Sequence, residues 1–270
     1  MGDILAEVRG LVLDGVLEVT LLGQNVNTYG RDLTVPGSSK RSLFADLLRS
    51  VNDVEGLARV RFTSPHPHDF TPDVIDAMAS CEKVCEHIHF PLQSGSDAVL
   101  KAMQRSYRAA RYMEWLDAIR AAIPGIAVST DVIVGFPGET DDDFQRTIDV
   151  VEEARFDSAF MFQYSPRPGT RAAQFEAQVP KEVVQERFDR LLALQERISM
   201  ERNRAMIGRT VELLIEAGGR GDRAQGRTRT NKIVHFEGDA QAGTFVDAEV
   251  TAAHAHHLTG ELVLEPARSG

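Results

Sequence analysis

Short apolar runs alternate along this chain with stretches whose apolar residues return every three or four positions. Residues 17–22, 58–62, 87–90, 127–134 and 158–162 read as strands. Residues 3–14, 43–51, 71–80, 108–122 and 141–154 read as the helices between them. Thr71-Pro72-Asp73 offers a cap, a proline at the first helical position and an acid in the first turn. Glu139-Thr140-Asp141-Asp142-Asp143 sets negative charge at the positive end of another helix. Strictly alternating strands and helices predict a parallel sheet with right-handed crossovers. The units are too many for a small βαβ module and too few for a closed eight-stranded barrel. Because a helix comes first, the sheet is expected to lack its first strand.

The segment Asp131-Val-Ile-Val-Gly-Phe-Pro-Gly-Glu-Thr140 is the most telling. Its apolar run suits a strand buried on both faces, and its glycines let the following backbone approach a ligand. It places a site at the carboxyl end of a parallel strand, where α/β enzymes do their chemistry. A long charged helix is expected from Lys181 to about Met206, with Val183, Val184, Phe188, Leu191, Leu192, Gln195 and Ile198 on one stripe. Beyond Gly208 the pattern shortens into β-rich pieces at 210–215, 226–230, 233–236, 245–250 and 262–264. They predict a small antiparallel barrel, with a boundary near Gly208. Pro36-Gly-Ser-Ser-Lys40 reads as a flexible loop.

Composition narrows the class. The 270 residues carry a net charge of -10, which disfavours nucleic acid. Yet residues 202–232 hold eight Arg or Lys against Glu212, Glu216 and Asp222, a basic stripe that reads either as a solvated surface or as a nucleic-acid footprint. Two cysteines exclude a disulfide framework. No apolar stretch is long enough to span a membrane, and the first residues carry no secretory signal pattern, so a cytoplasmic protein is expected.

Polar loops follow successive strands. Gly23-Gln24-Asn25-Val26-Asn27 presents amides that donate and accept, which suits a zwitterionic or ribose-like ligand, or simply an Asn-held turn. Thr63-Ser64-Pro65-His66-Pro67-His68 carries two histidines but no third metal ligand. Pro91-Leu92-Gln93-Ser94-Gly95-Ser96-Asp97 ends at a helix amino terminus, where NH groups hold anions or a serine caps. Gln163-Tyr164-Ser165-Pro166-Arg167-Pro168-Gly169-Thr170 pins Arg167 between prolines as an anion or nucleobase contact. Together with Gly135-Phe136-Pro137-Gly138, these loops are expected to build one composite site. Cys81 and Cys85 read as structural thiols, and His254, His256 and His257 as a solvated loop. Phe136, Phe144, Phe156, Phe160 and Phe162 read as core. An aldolase-like enzyme would need a lysine or carboxylate pair at strand ends, and Lys83 and Lys101 are not placed there.

The motifs at 21–30, 61–67, 89–96, 131–140 and 164–170 together resemble the radical S-adenosylmethionine methylthiotransferases. The forms Gly-Gln-Asn-Val-Asn and Thr-Ser-Pro-His-Pro are similar to the branch that acts on tRNA. The resemblance implies a partial, open (β/α)6-type barrel over residues 1–206 and an RNA-binding barrel of the TRAM type over 207–268. It implies S-adenosylmethionine and two [4Fe-4S] clusters as cofactors, and a tRNA anticodon stem-loop as partner. The activity it implies is methylthiolation at C2 of N6-isopentenyladenosine. Gln24, Asn25 and Asn27 would sit near the cofactor's methionine end, Gln93 and Ser94 near its ribose, and Val134, Gly135 and Phe136 beside its adenine, with Ser64 a further cofactor contact. Arg167, Arg227, Arg229, Asn231 and Lys232 would contact RNA. The family's cluster-binding cysteines have no counterpart in this sequence, so no metal ligands and no catalytic residue are expected, and the chain alone is expected to be inactive. The edge strand at 17–22 is expected to expose apolar surface and drive self-association.

Overall fold

The computed structural model describes residues 1–32, 41–216 and 223–263. Helix α1 (Gly2–Leu13) leads into strand β1 (Glu18–Leu21). Helix α2 (Phe44–Asn52), strand β2 (Arg59–Phe62), helix α3 (Pro72–Ser80) and strand β3 (His87–His89) follow. Then come α4 (Asp97–Ala102), α5 (Ala109–Ala122), β4 (Ala127–Val134), α6 (Asp141–Ala154) and β5 (Ser158–Gln163). The strands are parallel, β1 with β2 and β3-β4-β5 in a second group. A parallel bridge between Val60 and Val84 joins the two groups. The expected alternating parallel sheet is therefore present. The Pro36–Lys40 loop lies outside the described residues.

One face of this sheet is dry. Val60, Ile88, Val128 and Val132 are fully buried there beneath α2, α3, α5 and α6, with Leu48, Leu116 and Val151 from the helices. Helix α6 starts as its sequence requires. The Thr140 hydroxyl accepts from the Asp143 NH, and the Asp143 carboxylate accepts from the Thr140 NH. At α3, by contrast, Thr71 occupies the capping position but donates its hydroxyl to the Asp73 carboxylate, leaving the helix NH groups without it.

The other face is polar. Register and alternation place Glu18, Arg59, Arg61, His87, His89, Ser129 and Asp131 on it. This corrects the reading of 127–134 as buried on both faces, because Asp131 and Ile133 are only half-buried. It also corrects the assignment of Phe160 and Phe162 to the core. Both project from the open face of β5, 58% and 52% exposed, whereas Phe136, Phe144 and Phe156 are buried.

Helix α7 (Lys181–Arg204) crosses back to a closed barrel of β6 (Thr210–Ile215), β7 (Arg223–Thr228), β8 (Ile233–Glu237), β9 (Phe245–Ala253) and β10 (Leu258–Leu262). Its pairings are antiparallel except for a parallel seam between β10 and β8 that closes it. Leu213, Val234, Val250 and Leu258 fill its interior. The barrel packs on the polar face of the sheet, across β2 and at the amino ends of β3 and β5. Arg59, 1% exposed, donates to the main-chain oxygens of Arg227 (2.8 Å) and Glu212 (3.2 Å). Arg61 donates to those of Arg229 (2.9 Å) and Thr228 (2.8 Å). None of the described helices is long and apolar enough to cross a membrane.

Candidate functional site

The loops at the carboxyl ends of the strands fall into two connected groups. In the first group, the loops after β1 and β2 are stapled together. Asn27 is fully buried and donates to the His66 carbonyl (3.0 Å) while its own oxygen accepts from the His66 NH (2.8 Å). Asn25 Nδ2 and Arg31 Nη1 share the Asp69 carboxylate at 2.7 and 2.6 Å. Burial alone would raise the Asp69 carboxyl, but the hydrogen bonds from Arg31 and Asn25 hold it below the usual carboxylate range. Gln24 is exposed, and Ser64 is half-buried with a left-handed φ of 60°.

The second group comes from β3, β4 and β5 and encloses a cavity of about 290 Å³. Gln93 has φ 68° and pairs with β4 through Asp131 O (2.7 Å) and the Ile133 NH (2.9 Å), which aims its side chain into this space. Phe136 forms one wall, edge-on to Tyr164 at 5.2 Å and to Phe175 at 6.3 Å. Ile133, Gln104, Arg105, Thr170 and Arg171 are among the other lining residues. Arg105 Nε is buried without a hydrogen-bond partner among the described residues. The two groups touch where the His66 ring meets Tyr107, 5.5 Å apart, and Tyr107 donates to the carbonyls of Pro91 and Leu92. Burial, then the nearby Arg105 charge, lowers the His66 pKa and favours its neutral ring.

The expected site residues thus divide. Gln93 and Phe136 line the cavity. Gly135 supports it from behind. With φ 75° and a Cβ position that would collide with Val184, only glycine fits there, and its NH donates to Glu139 (3.1 Å). Glu139 is buried and paired with Arg187 at 2.8 Å. Burial raises its carboxyl above the usual range despite that pair. Val134 is fully buried. Ser94 faces the opposite way, its hydroxyl against Thr147 Oγ1 at 3.3 Å. Asn25 and Asn27 hold loops together, and Arg167 is exposed beyond the cavity. Arg105, Arg171 and Glu139 were missed. Only the arginines' position just past two strand-end loops could have flagged them.

The basic stripe has another task. Arg229 grips Glu86 with two nitrogens at 2.7 and 2.9 Å and donates to the Val84 carbonyl. Lys232 Nζ lies 2.9 Å from Asp157 and 2.8 Å from Asn203 Oδ1. Arg227 pairs with Glu216, and Asn231 lies beside His87. These four residues are therefore not a free basic surface. They sit at or beside the seam between barrel and sheet, where Arg229 and Lys232 meet the carboxylates of Glu86 and Asp157. Burial would raise Asp157, but Lys232 and then Arg202 hold it low.

Known proteins bear on this geometry. The profile described as the Radical SAM superfamily matches residues 1–151. The chain belongs to the radical SAM superfamily. The TRAM domain profile matches residues 204–263, where the closed barrel stands. A curated relative from Mycobacterium marinum, tRNA-2-methylthio-N(6)-dimethylallyladenosine synthase 1, is 56% identical over 96% of this chain and 53% of its own length. A tRNA-2-methylthio-N(6)-dimethylallyladenosine synthase from Corynebacterium jeikeium is 58% identical over 96% of this chain and 52% of its own. The chain spans about half the length of the curated relatives it matches. Among solved structures, the radical SAM enzyme coproporphyrinogen III oxidase of Escherichia coli aligns with a TM-score of 0.48 and 14% identity, over 68% of this chain and 50% of that one.

Enzymes of this radical SAM family use S-adenosylmethionine and [4Fe-4S] clusters, and iron–sulfur clusters are held by accessible thiolates. The cysteines of this radical SAM chain do not fit that demand. Cys81 and Cys85 are buried at the amino ends of the strands, away from the loops, and burial pushes both thiols up. Among the described residues no group of three or more His, Cys, Asp or Glu is arranged around a metal position. His66 and His68 are no exception, since His66 Nδ1 accepts from the His68 NH and the rings stand 6.4 Å apart. The cavity beside Phe136 does suit a nucleoside-bearing cofactor. It joins two aromatic walls, a backbone-fixed amide and an arginine with an unmet donor, at the small end of the range for ligand sites.

Proposed function

We propose that this chain is the cofactor- and RNA-binding part of a tRNA methylthiotransferase that acts at C2 of N6-dimethylallyladenosine next to the anticodon. The observation that carries the reading is the cavity at the carboxyl ends of β3, β4 and β5, which combines Gln93, Phe136 and Arg105, in a chain that also carries a TRAM-type barrel. The names of the 56% and 58% identical relatives support the substrate. Phe136 and Phe175 would flank the adenine of S-adenosylmethionine, Gln93 would bond its ribose, and Arg105 would take its carboxylate. When bound, that cofactor supplies the transferred methyl group. The chain's own residues bind and orient, and no cluster-dependent step is drawn through Cys81 or Cys85. RNA phosphates would meet Arg167 and the exposed Arg204 and Arg209 beside the barrel. The residues Arg227, Arg229, Asn231 and Lys232 would act indirectly, by fixing the barrel's orientation.

Isothermal titration with S-adenosylmethionine tests the cofactor site, with Arg105→Ala expected to weaken binding at least tenfold. Anisotropy with an anticodon stem-loop tests the RNA role, and affinity should fall steeply between 50 and 200 mM salt. RNA binding with no cofactor binding at all would reduce the chain to an RNA-binding module.

A further inference from the structure

Strand β5 presents two phenyl groups to solvent on the sheet's polar face. Phe160 is 58% and Phe162 52% exposed, although most other phenylalanines of the sheet and its helices are buried. Their positions are fixed by register. Phe160 stands opposite Asp131 and Phe162 opposite Ile133, which itself lines the cavity. An aromatic strip therefore runs out of the cavity and down the open face. A polar pair borders it. His89 Nε2 lies 3.3 Å from Asp131 Oδ2, its Nδ1 lies 3.0 Å from Ser129 Oγ, and its ring meets Phe160 edge-on at 5.8 Å. The barrel docks lower on the same face, through Arg61 and through Arg229 on Glu86. The strip thus lies between the cofactor-sized cavity and the barrel.

An exposed apolar patch of this kind marks a contact surface. A wholly apolar partner would take the charged and polar atoms of the His89–Asp131 pair out of water with no new hydrogen bond in return, at a cost. A base needs both features, a flat ring face and an edge hydrogen bond. We propose that Phe160, Phe162, His89 and Asp131 form the platform for the alkylated purine of the substrate RNA. The branched N6 substituent and the ring lie on the two phenyl groups, and Asp131 accepts from the remaining N6–H. His89 holds Asp131 in position. The inference rests on the tRNA reading given above and names the residues that select the alkylated base.

The test compares two anticodon stem-loops of one sequence, with and without the N6-dimethylallyl group, binding to the full 270-residue chain. The chain is expected to prefer the alkylated loop at least tenfold. Phe160→Ser with Phe162→Ser should lower affinity for the alkylated loop at least tenfold more than for the plain one, while Phe160→Leu with Phe162→Leu retains part of the preference. Asp131→Asn should reduce the preference in a variant whose circular dichroism matches the parent. Equal binding of both loops by the parent overturns the platform but leaves the tRNA reading standing, whereas binding of neither overturns both. A preference untouched by the serine variant, with loss of self-association instead, would assign the strip to a second copy and overturn the proposal.

Discussion

Asp157 and Glu86 sit where the barrel meets the sheet, and each has a cation from the barrel within 3 Å, Lys232 at 2.9 Å and Arg229 at 2.7 Å. Replacing Lys232 with Met leaves Asp157 with Arg202 and one main-chain NH. Urea unfolding at pH 7 should show a loss of about 1–3 kcal/mol. Both carboxyls are held below their ordinary values of 3.8 and 4.5. Their contribution is thus present above those values and disappears as pH falls through and below them. His87 works in a higher window. Burial, with Arg61 and His89 nearby, lowers its pKa from 6.5 to about 3. The unfolded chain therefore binds a proton that the folded chain refuses between those limits. Stability from this group is complete above pH 6.5 and declines as pH falls toward 3. Melting temperatures between pH 7 and 4.5 should fall for the parent and fall less for His87→Gln. None of this was legible from charge. Charge alone left residues 202–232 open between a solvated surface and a nucleic-acid footprint, because a sequence shows cations without the acids that face them.

At the scale of elements, periodicity carried far. Helix α6 and strand β4 occupy the residues their patterns marked, and the remaining core helices and strands differ by a few residues at their ends. Helix α4 was marked only by its Ser96-capped amino terminus, because six residues are under two turns, too short for a 3.6-residue period to show. Strand β7 begins at Arg223, earlier than the glycine-flanked run suggested. The two phenylalanines of β5 were misread because alternation tells which residues share a face and not whether that face is covered. The loops were legible as a series, but not their division into a stapled pair and a cavity. Asn27 is the fully buried member of the staple. Asn27→Ala leaves the His66 NH without its partner, while the His66 carbonyl keeps only the Asp69 NH, and should cost about 2 kcal/mol. Hydrogen exchange should then quicken in residues 63–69 while α5 and α6 keep their protection. Gly95 is equally constrained, since a Cβ there would lie 2.5 Å from the Arg146 carbonyl. Gly95→Ala should push the third loop off α6 and lower the melting temperature.

For the molecule as a whole, the flank beside β1 is the surface expected to set behaviour in solution. Strand β1 pairs with β2 alone among the described residues. Next to it a largely apolar cleft of about 590 Å³ opens between Ile4, Val8 and Leu11 of α1 and Val19 and Leu21 of β1, and Leu22 is 77% exposed. Helix α1 shields part of that flank, which the sequence pattern could not foresee. Self-association is still expected. Sedimentation velocity should show a concentration-dependent shift that Leu22→Lys diminishes, and a single monomer boundary at every concentration would refute it.

Arg59 and Arg61 reach for peptide oxygens at 212 and 227–229, and among the described residues one barrel carboxylate, Glu212, adds to their grip. Carbonyls of that kind are common to any polypeptide drawn in the same register. The pairing of the two halves should therefore tolerate divergence at 212 and 227–228 as long as the cations at 229 and 232 are kept, and a chimaera carrying a foreign barrel of equal strand length with those two cations should still seat on the two arginines.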